Sequence, residues 1–138
     1  MRALIVDDDV HASKLLLKHL KKIAKFDVDI ASSGQQAVEM MKISFREDYP
    51  FNLICLDIMM PGLDGHQTLT EIRKIEYAKM LSPEEGAKVM MISSLEDERN
   101  ILKSFMELCD AYLIKPVTQK ELFNKLQELN LLNIPENV

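Results

Sequence analysis

Cysteine is scarce in this sequence and tryptophan is absent, while glycine and proline contribute only four and five residues. The two cysteines, Cys55 and Cys109, lie far apart among apolar neighbours, and no C-x-x-C pair or metal-like cluster of Cys and His occurs. A disulfide scaffold and a collagen-like repeat are therefore excluded, and a zinc site is not indicated. We expect both cysteines to be buried free thiols, which suits a reducing cytoplasm.

Long hydrophobic runs are also missing. No apolar stretch approaches the roughly 18 residues that a membrane span requires. The N-terminus passes from the apolar run Ala3–Val6 directly into three aspartates, whereas a signal peptide would stay apolar and end in small residues. We therefore expect a cytoplasmic protein with no membrane partner.

Basic residues do not form the kind of block that binds a phosphate backbone. The 17 Lys and Arg residues against 22 Asp and Glu residues give a net charge of −5. Four lysines cluster near the end of the first predicted helix, where a solvated face explains them better than a nucleic-acid site does: Lys18, Lys21, Lys22 and Lys25. No direct nucleic-acid partner is expected.

The length and composition are those of one globular domain. The chain has 138 residues, of which 47% are hydrophobic and 28% are charged, so disorder is not indicated. No repeat, low-complexity tract or linker divides it. We predict one domain over residues 1–131 and a short tail over residues 132–138.

Five short apolar runs alternate with five stretches whose apolar residues recur at helical spacing. Such alternation is typical of a parallel sheet covered by helices on both faces. We predict an α/β fold with a single doubly wound, five-stranded parallel sheet in the flavodoxin-like order 2-1-3-4-5. The second run alternates polar and apolar residues, which favours an edge position. The predicted strands are Ala3–Val6, Val28–Ala31, Leu53–Leu56, Val89–Ile92 and Ala111–Ile114.

Cap-and-acid spacing predicts helix starts at Ser33, Ser94 and Thr118. The stretch that follows Ser94 carries Ile101 and Phe105 at helical spacing and predicts the fourth helix. Two connections are predicted to be long, at residues 43–50 and 77–86. We interpret them as extended surface loops, which explains their length better than a contact with a partner does.

Polar side chains stand where four of the predicted strands end. Asp7, Asp8 and Asp9 follow the first strand, Asp57 follows the third, Ser93 and Ser94 follow the fourth, and Lys115 follows the fifth. In the predicted order these strands are neighbours, and ligands of open parallel sheets bind beyond the carboxyl ends of the strands. We therefore expect these side chains to converge on one site, with Asp9 serving as a helix cap.

Carboxylates gathered at one sheet edge repel one another. Two of them ~4 Å apart repel by roughly 4 kcal/mol at an effective dielectric constant of about 20, so Asp7 or Asp8 beside Asp57 requires a proton or a divalent cation. A few oxygen ligands suit Mg²⁺, which keeps several waters and favours phosphate as a co-ligand. With Lys115 and Ser93, the set indicates phosphoryl transfer to an aspartate.

The residues resemble the receiver domain of two-component response regulators, in the stand-alone, chemotaxis-regulator-like form. The resemblance runs from Arg2 to about Leu131, and its D-x-x-M-P-x-x-D-G pattern is highly specific. The matching stretches are Leu4–Asp8 (LIVDD), Leu56–Gly65 (LDIMMPGLDG), Ile92–Ser94 (ISS) and Ile114–Pro116 (IKP).

The resemblance implies a role for each matching position. Asp57 would accept a phosphoryl group from a sensor histidine kinase or phosphotransfer protein, and it would also ligate the metal. Asp8 would bind Mg²⁺ directly, Asp7 would act largely through a water, and the backbone carbonyl of Met59 would be a further ligand. Lys115 would pair with the phosphate.

The resemblance also implies a cis peptide bond between Lys115 and Pro116 and a conformational switch. Ser93 would move to hydrogen-bond the phosphate, and Tyr112 would turn inward into the vacated space. A downstream protein partner would bind the face formed by the fourth helix, the fifth strand and the fifth helix. The kinase would dock near the first helix and the loop after the fifth strand. The output is then binding, and the chain is a signalling domain that catalyses its own phosphorylation in part, not a classical enzyme.

Two positions depart from better-studied members of the family. Met59 and Leu95 are apolar, whereas members that lose the phosphoryl group quickly tend to carry polar groups there that orient the attacking water. We hypothesise that this chain dephosphorylates itself slowly.

Three other hypotheses about the function remain open. A Mg²⁺-dependent phosphatase of the haloacid-dehalogenase type would use the D-x-D spacing within Asp7–Asp9, although His11 stands where that family has Thr or Val. A pseudo-receiver would bind partners without phosphorylation, but the acidic site is complete. A flavin-binding relative would need a phosphate loop rich in Ser, Thr and Gly after the first strand, where three aspartates stand instead.

Overall fold

The structure is a computed structural model that describes residues 1–94 and 109–132. Strands and helices alternate over residues 1–94, as predicted, and residues 109–132 form a strand followed by a helix. The predicted fourth helix, including Ile101 and Phe105, lies outside the described residues, and so do Leu95 and residues 133–138. The elements are β1 (Arg2–Val6), α1 (Val10–Ile23), β2 (Asp27–Ala31), α2 (Gly34–Arg46), β3 (Leu53–Asp57), α3 (Gly65–Ala78), β4 (Lys88–Ser93), β5 (Ala111–Ile114) and α4 (Gln119–Glu128).

The five strands form one parallel sheet in the order β2-β1-β3-β4-β5, which confirms the predicted topology. β2 is an edge strand, as its alternating pattern predicts, and Asp27 and Ile30 are exposed there. The central strand β3 is buried along its whole length, as a strand covered on both faces should be.

Successive residues of the central strands alternate between two separate hydrophobic cores, one on each face of the sheet. Leu4 and Ile54 lie in the core beneath α2 and α3, while Ile5 and Cys55 lie in the core beneath α1 and α4. The side-chain period of two along a strand produces this division. Burial of apolar surface on both faces thereby fixes the register of the strands, and with it the level at which each strand ends.

The helix caps follow the predicted chemistry. Asp9, Ser33, Asp64 and Thr118 each accept a hydrogen bond from a backbone N–H in the first turn of the helix that follows. Such caps satisfy N–H groups that have no partner within the helix.

The two connections predicted to be long are shorter than expected. α2 continues to Arg46 and α3 to Ala78, so the predicted starts of the connections, at residues 43 and 77, are wrong. In α3 the reason is a tertiary contact: the buried carboxylate of Glu76 accepts hydrogen bonds from the Ala87 N–H (2.7 Å) and from Arg73 Nη1 (2.7 Å), which holds the last turn against the start of β4.

No helix in the described part of the chain is long and apolar enough to cross a membrane. Both cysteines are free thiols, as expected; Cys55 is buried, but Cys109 is only partly so.

Candidate functional site

The carboxyl ends of the strands bring the predicted polar residues together at one edge of the sheet. Asp7 and Asp8 follow β1, Asp57 is the last residue of β3, Ser93 is the last residue of β4, and Lys115 follows β5. β1, β3, β4 and β5 are consecutive in the sheet, so residues distant in sequence become neighbours.

Three carboxylates form the centre of this site. Asp7, Asp8 and Asp57 each offer an oxygen atom, and these atoms lie within 4.8 Å of one another. Asp7 and Asp57 are buried, whereas Asp8 is exposed. At such distances the carboxylates repel one another by several kcal/mol at the effective dielectric constant of about 20 that suits protein sites, so the cluster favours uptake of a cation or a proton.

Lys115 supplies a positive charge from the segment that follows the edge strand β5. Its Nζ lies 3.2 Å from Asp7 Oδ2 and 3.5 Å from Asp57 Oδ1. Partial burial on its own would lower the pKa of the Lys115 ammonium, but the adjacent Asp57 and Asp7 outweigh it and raise that pKa. Lys115 is therefore a fixed cation that faces two of the three acids.

Asp57 is the acid whose charge is most costly. Burial, followed by the charge of Asp7, raises the pKa of the Asp57 carboxyl from 3.8 to about 7, against the opposing pull of Lys115. One lysine thus does not neutralise the cluster. Without a metal ion, Asp57 holds a proton over much of the acid range.

Backbone hydrogen bonds set the positions of these side chains. Asp7 Oδ1 accepts from the Asp9 N–H at 2.9 Å, and the Lys115 N–H donates to the Ser93 carbonyl at 2.8 Å. The peptide bond between Lys115 and Pro116 is cis. The hydrogen bond from the Lys115 N–H to Ser93 ties the chain after β5 to the end of β4, which keeps the ammonium group over the site.

Gly65 lets the start of α3 approach the end of β3. A Cβ atom there would lie 2.6 Å from the Ile58 Cα and 2.7 Å from the Asp57 carbonyl oxygen, so a larger residue would force the backbone apart. The Gly65 N–H donates to the Ile58 carbonyl at 2.9 Å. This contact fixes the segment that carries Met59.

Gly34, at the start of α2, restrains the same loop from the other side. A Cβ atom there would lie 2.6 Å from the Leu63 carbonyl oxygen and 2.2 Å from Thr68 Oγ1. No role was predicted for Gly34, and Gly65 was named only as part of the D-x-x-M-P-x-x-D-G pattern. No local pattern reveals either contact, because both depend on how helices pack across the loop.

The two residues predicted to form a switch lie beside the site in different surroundings. Ser93 is 1% exposed, and its hydroxyl has no hydrogen-bond partner among the described residues. A buried hydroxyl without a partner is costly. Tyr112, on β5, is 37% exposed.

The donor atoms suit Mg²⁺ in kind and number. The carboxylates of Asp7, Asp8 and Asp57 provide the hard oxygen ligands that this ion prefers, and the exposure of Asp8 leaves one side open to water. The residues therefore fit a magnesium site that is open to solvent on one side.

Comparison with known proteins identifies relatives along most of the chain. The family model "Response regulator receiver domain" matches residues 3–127. The chain is 29% identical over 129 residues to regulatory protein VanRB of Enterococcus faecalis, covering 94% of this chain and 52% of that protein. It is 30% identical over 128 residues to the transcriptional regulatory protein CpxR homologue of Haemophilus influenzae, covering 93% and 49%. The chain thus spans about half the length of these curated relatives.

A solved structure with the same fold is that of the receiver domain of the histidine kinase CKI1 from Arabidopsis thaliana, complexed with Mg²⁺ and BeF₃⁻. It is 25% identical and superposes with a TM-score of 0.78 over 95% of this chain and 90% of that one.

The raised pKa of Asp57 predicts an unusual pH dependence of stability in the metal-free protein. Because the folded state binds this proton more tightly than the unfolded chain does, the contribution is full below pH 3.8 and is lost as the pH rises through about 7. At ~1.4 kcal/mol per pH unit the difference between the two pKa values would give ~4 kcal/mol in full, and solvent screening at this partly open site reduces it, so we expect a loss on the order of 3 kcal/mol across this range. Denaturant unfolding at a series of pH values, in the presence of a chelator, measures it.

Asp57→Asn removes the titrating group and should flatten this part of the stability profile. Glu84→Gln, at an exposed position of the α3–β4 loop, is the matched control and should leave the profile as it is. Parallel profiles for Asp57→Asn and the native sequence would contradict the assignment of the raised pKa to Asp57.

Proposed function

The chain belongs to the response regulator receiver domain family, and we propose that it accepts a phosphoryl group on Asp57 and converts that event into a change of partner binding. As a receiver domain it is a signalling module and not a classical enzyme. The observation that carries the proposal is the convergence of Asp7, Asp8 and Lys115 on Asp57 at the carboxyl edge of the sheet.

Asp57 has the position of a nucleophile. It ends the central strand β3 and is buried, and its carboxylate lies close to Lys115 and to both of the other acids. In the proposed reaction an Asp57 oxygen forms a bond to phosphorus as the phosphorus–nitrogen bond of a phosphohistidine breaks. The imidazole leaves with the electron pair and takes up a proton, so that it ends as neutral imidazole.

Asp8, Asp7, Asp57 and the backbone carbonyl of Met59 would hold Mg²⁺. Bound there, the ion would offset the charge of the acids and stabilise the negative charge of the transferring group. Asp8 is the exposed acid and is suited to direct ligation, while Asp7 is buried and already accepts from the Asp9 N–H. Gly65 and Gly34 keep the Met59 segment near β3.

Lys115 would hold the phosphoryl group from the opposite side. Its ammonium lies within 3.5 Å of Asp57 Oδ1 and within 3.2 Å of Asp7 Oδ2 before any phosphoryl group is present. Because a fixed cation needs no reorganisation during the reaction, it stabilises developing negative charge efficiently.

Incubation with phosphoramidate and measurement of intact mass test the phosphoacceptor role. We expect one added phosphoryl group on the native protein in Mg²⁺, and none in a chelator or in Asp57→Asn. Asp64→Asn is the matched control, since that residue caps α3, and it should still be labelled. Labelling of Asp57→Asn, or repeated turnover of a generic phosphate ester, would contradict the proposal; the latter would favour an aspartate-nucleophile phosphatase.

The side chain of Met59 bears on the lifetime of the phosphorylated state. It is 58% exposed and offers no polar group that could orient a water molecule towards the phosphorus. We therefore propose that the phosphorylated protein loses its phosphoryl group slowly. Leu95, the second apolar position of the hypothesis, lies outside the described residues.

Met59→Asn should shorten the phosphoryl lifetime by roughly 10-fold, a fraction of the ~10²–10⁴ that positioned proton transfer contributes. Decay of the phosphorylated mass after removal of phosphoramidate measures the lifetime. Met80→Asn replaces another exposed methionine (90% exposed) away from the site and should have no effect. Rapid loss from the native protein, unchanged by Met59→Asn, would overturn the hypothesis.

Ser93 and Tyr112 would convert phosphorylation into a change of shape. The Ser93 hydroxyl has no hydrogen-bond partner among the described residues, so a phosphate oxygen at Asp57 would give it one. Movement of Ser93 towards the phosphate would free space that the Tyr112 ring, now 37% exposed, could enter. A ligand shifts such an equilibrium only by interacting differently with the two states, and this hydrogen bond supplies the difference.

Ring signals of the three tyrosines report this movement by NMR. On phosphorylation we expect the Tyr112 signal to shift, and to shift much less in Ser93→Ala. Tyr49 and Tyr77 are internal controls, because they lie in other parts of the molecule, and their signals should stay constant. A Tyr112 signal that does not move, or moves equally in Ser93→Ala, would contradict the switch.

The proposed partners use two different surfaces. Receiver domains partner with histidine kinases, and we propose that a kinase or phosphotransfer protein docks beside α1 and the segment after β5. The downstream protein would bind the face that includes β5 and α4 (Gln119–Glu128), which is the helix predicted as the fifth. The helix predicted as the fourth, between β4 and β5, would complete this face and lies outside the described residues. We also propose that the receiver unit extends over residues 1–131 and works in the cytoplasm.

A further inference from the structure

Two large apolar side chains are exposed side by side at the end of α3. Tyr77 is 84% exposed and Met80 is 90% exposed, the highest values among the exposed large apolar residues of the described chain. Only three residues separate them, so they form one apolar projection at the end of the helix. Burial of such side chains is favourable, and the fold of the single chain leaves both in water.

The backbone at Met80 does not favour a methionine. Its φ angle is +61°, in the left-handed region that most side chains avoid and that glycine usually occupies after a helix. Two hydrogen bonds hold the chain there. The Met80 N–H donates to the Tyr77 carbonyl at 2.9 Å, and the Leu81 N–H donates to the Glu76 carbonyl at 3.2 Å.

The end of α4 has the same turn with a different residue. The Asn130 N–H donates to the Gln127 carbonyl, and the Leu131 N–H donates to the Leu126 carbonyl, both at 3.0 Å. The left-handed residue of that turn is Asn130, at a φ angle of +58°, and asparagine tolerates this conformation. The turn itself therefore does not explain a methionine at position 80, which points to a role in binding.

A recess lies directly beside the exposed pair. Its volume is about 460 Å³, and Tyr77 forms part of its wall. The other walls combine apolar side chains with an ion pair of 3.1 Å: Leu81, Pro83 and Cys109, and Arg73 with Asp110. A tyrosine side chain likewise joins an apolar ring to a polar hydroxyl. The recess has the size and the chemistry to accept one.

Two charges of opposite sign border the same surface. Lys79 directly precedes Met80, and Glu84 directly follows Pro83. Both are exposed, and neither forms an ion pair within residues 1–94 and 109–132. A projecting ring, a recess that can hold a ring, a cation and an anion are thus all present on one surface.

We propose that this surface binds a second copy of the chain about a two-fold axis. It is called the α3-end surface, and it consists of Tyr77, Lys79, Met80, Leu81, Pro83 and Glu84. In a two-fold interface the same patch serves both partners, so each feature must find its complement on that patch. Tyr77 of each copy would enter the recess of the other with Met80 beside it, and Lys79 would face Glu84 twice.

A second copy accounts for the α3-end surface better than an unrelated protein does. An unrelated partner would need only a projection or only a recess, and only one sign of charge, to meet its own complement. Here both members of each complementary pair lie together. Because the surface is small, we expect a weak and reversible dimer, with a Kd of roughly 10–100 µM.

The inference is independent of the proposed function. α3 begins near the carboxyl edge of the sheet and ends at the opposite edge, where the chain enters β4. The dimer should therefore form equally with and without a phosphoryl group on Asp57. Failure of phosphoramidate to label Asp57 would overturn the proposed function and leave the dimer untouched.

Sedimentation velocity of the metal-free protein, from about 5 µM to about 1 mM, tests the dimer. We expect the native protein to pass from monomer to dimer over this range. Tyr77→Ser and Met80→Asn should each raise the Kd by ~10-fold or more, as loss of a central interface side chain does. Phe123→Ser removes another exposed aromatic ring, on α4, and should leave the Kd unchanged.

Denaturant unfolding of the dilute monomer separates binding from folding. Met80→Asn should be at least as stable as the native protein, because asparagine already serves the same turn at the end of α4. Loss of the dimer would then be a loss of contact between copies. A less stable Met80→Asn monomer would contradict the argument that the methionine serves binding.

A charge-exchange experiment tests the two-fold pairing. Lys79→Glu alone and Glu84→Lys alone should each weaken the dimer, because like charges then meet twice across the axis. An equimolar mixture of the two variants should associate as tightly as the native protein, since opposite charges face each other at both positions. Lys22→Glu, on α1, is the control and should leave the Kd unchanged.

Three results would overturn the inference. The first is a native protein that stays monomeric up to about 1 mM, far above the Kd expected for a small interface. The second is a dimer that Tyr77→Ser leaves intact or that Phe123→Ser abolishes, which would place the contact elsewhere. The third is a mixture of Lys79→Glu and Glu84→Lys that associates no better than either variant alone.

Discussion

The repulsion among three carboxylates at the carboxyl edge of the sheet is the interaction on which the site depends. Asp7, Asp8 and Asp57 lie within 4.8 Å of one another, and Lys115 alone does not neutralise them, because the pKa of Asp57 remains raised to about 7. The folded chain holds the acids together through burial of apolar surface on both faces of the sheet. Packing elsewhere in the molecule therefore sustains a cluster of negative charge that favours the uptake of a cation.

The fold and the site are connected through strand register. Burial on two faces fixes where β1, β3, β4 and β5 end, and each functional group comes directly at or after one of these ends. The loops then refine the geometry: the Lys115 N–H is held by Ser93, and close packing at Gly34 and Gly65 restrains the Met59 segment. The Ser93 hydroxyl, which has no hydrogen-bond partner among the described residues, and the partly exposed Tyr112 are the basis of the proposed switch at this edge.

Features with a local cause could be predicted from the sequence. The strands follow from short apolar runs, the edge position of β2 from its alternation, and the caps at Ser33 and Thr118 from their spacing. The convergence of Asp57 with the other acids followed from chain order and topology. The end of α3 could not be predicted, because it depends on Glu76 meeting Ala87 across a loop. The packing at Gly34 against Leu63 and Thr68 is tertiary in the same way.

Mg²⁺ binding measured by calorimetry tests the central claim most directly. If Mg²⁺ replaces the proton on Asp57, titrations near pH 7 in two buffers of different ionisation enthalpy should show proton release on binding, and the release should decline as the pH rises above about 7. Asp57→Asn should bind the ion more weakly and without proton release. Binding with no proton release at any pH, or equal release in Asp57→Asn, would contradict the account.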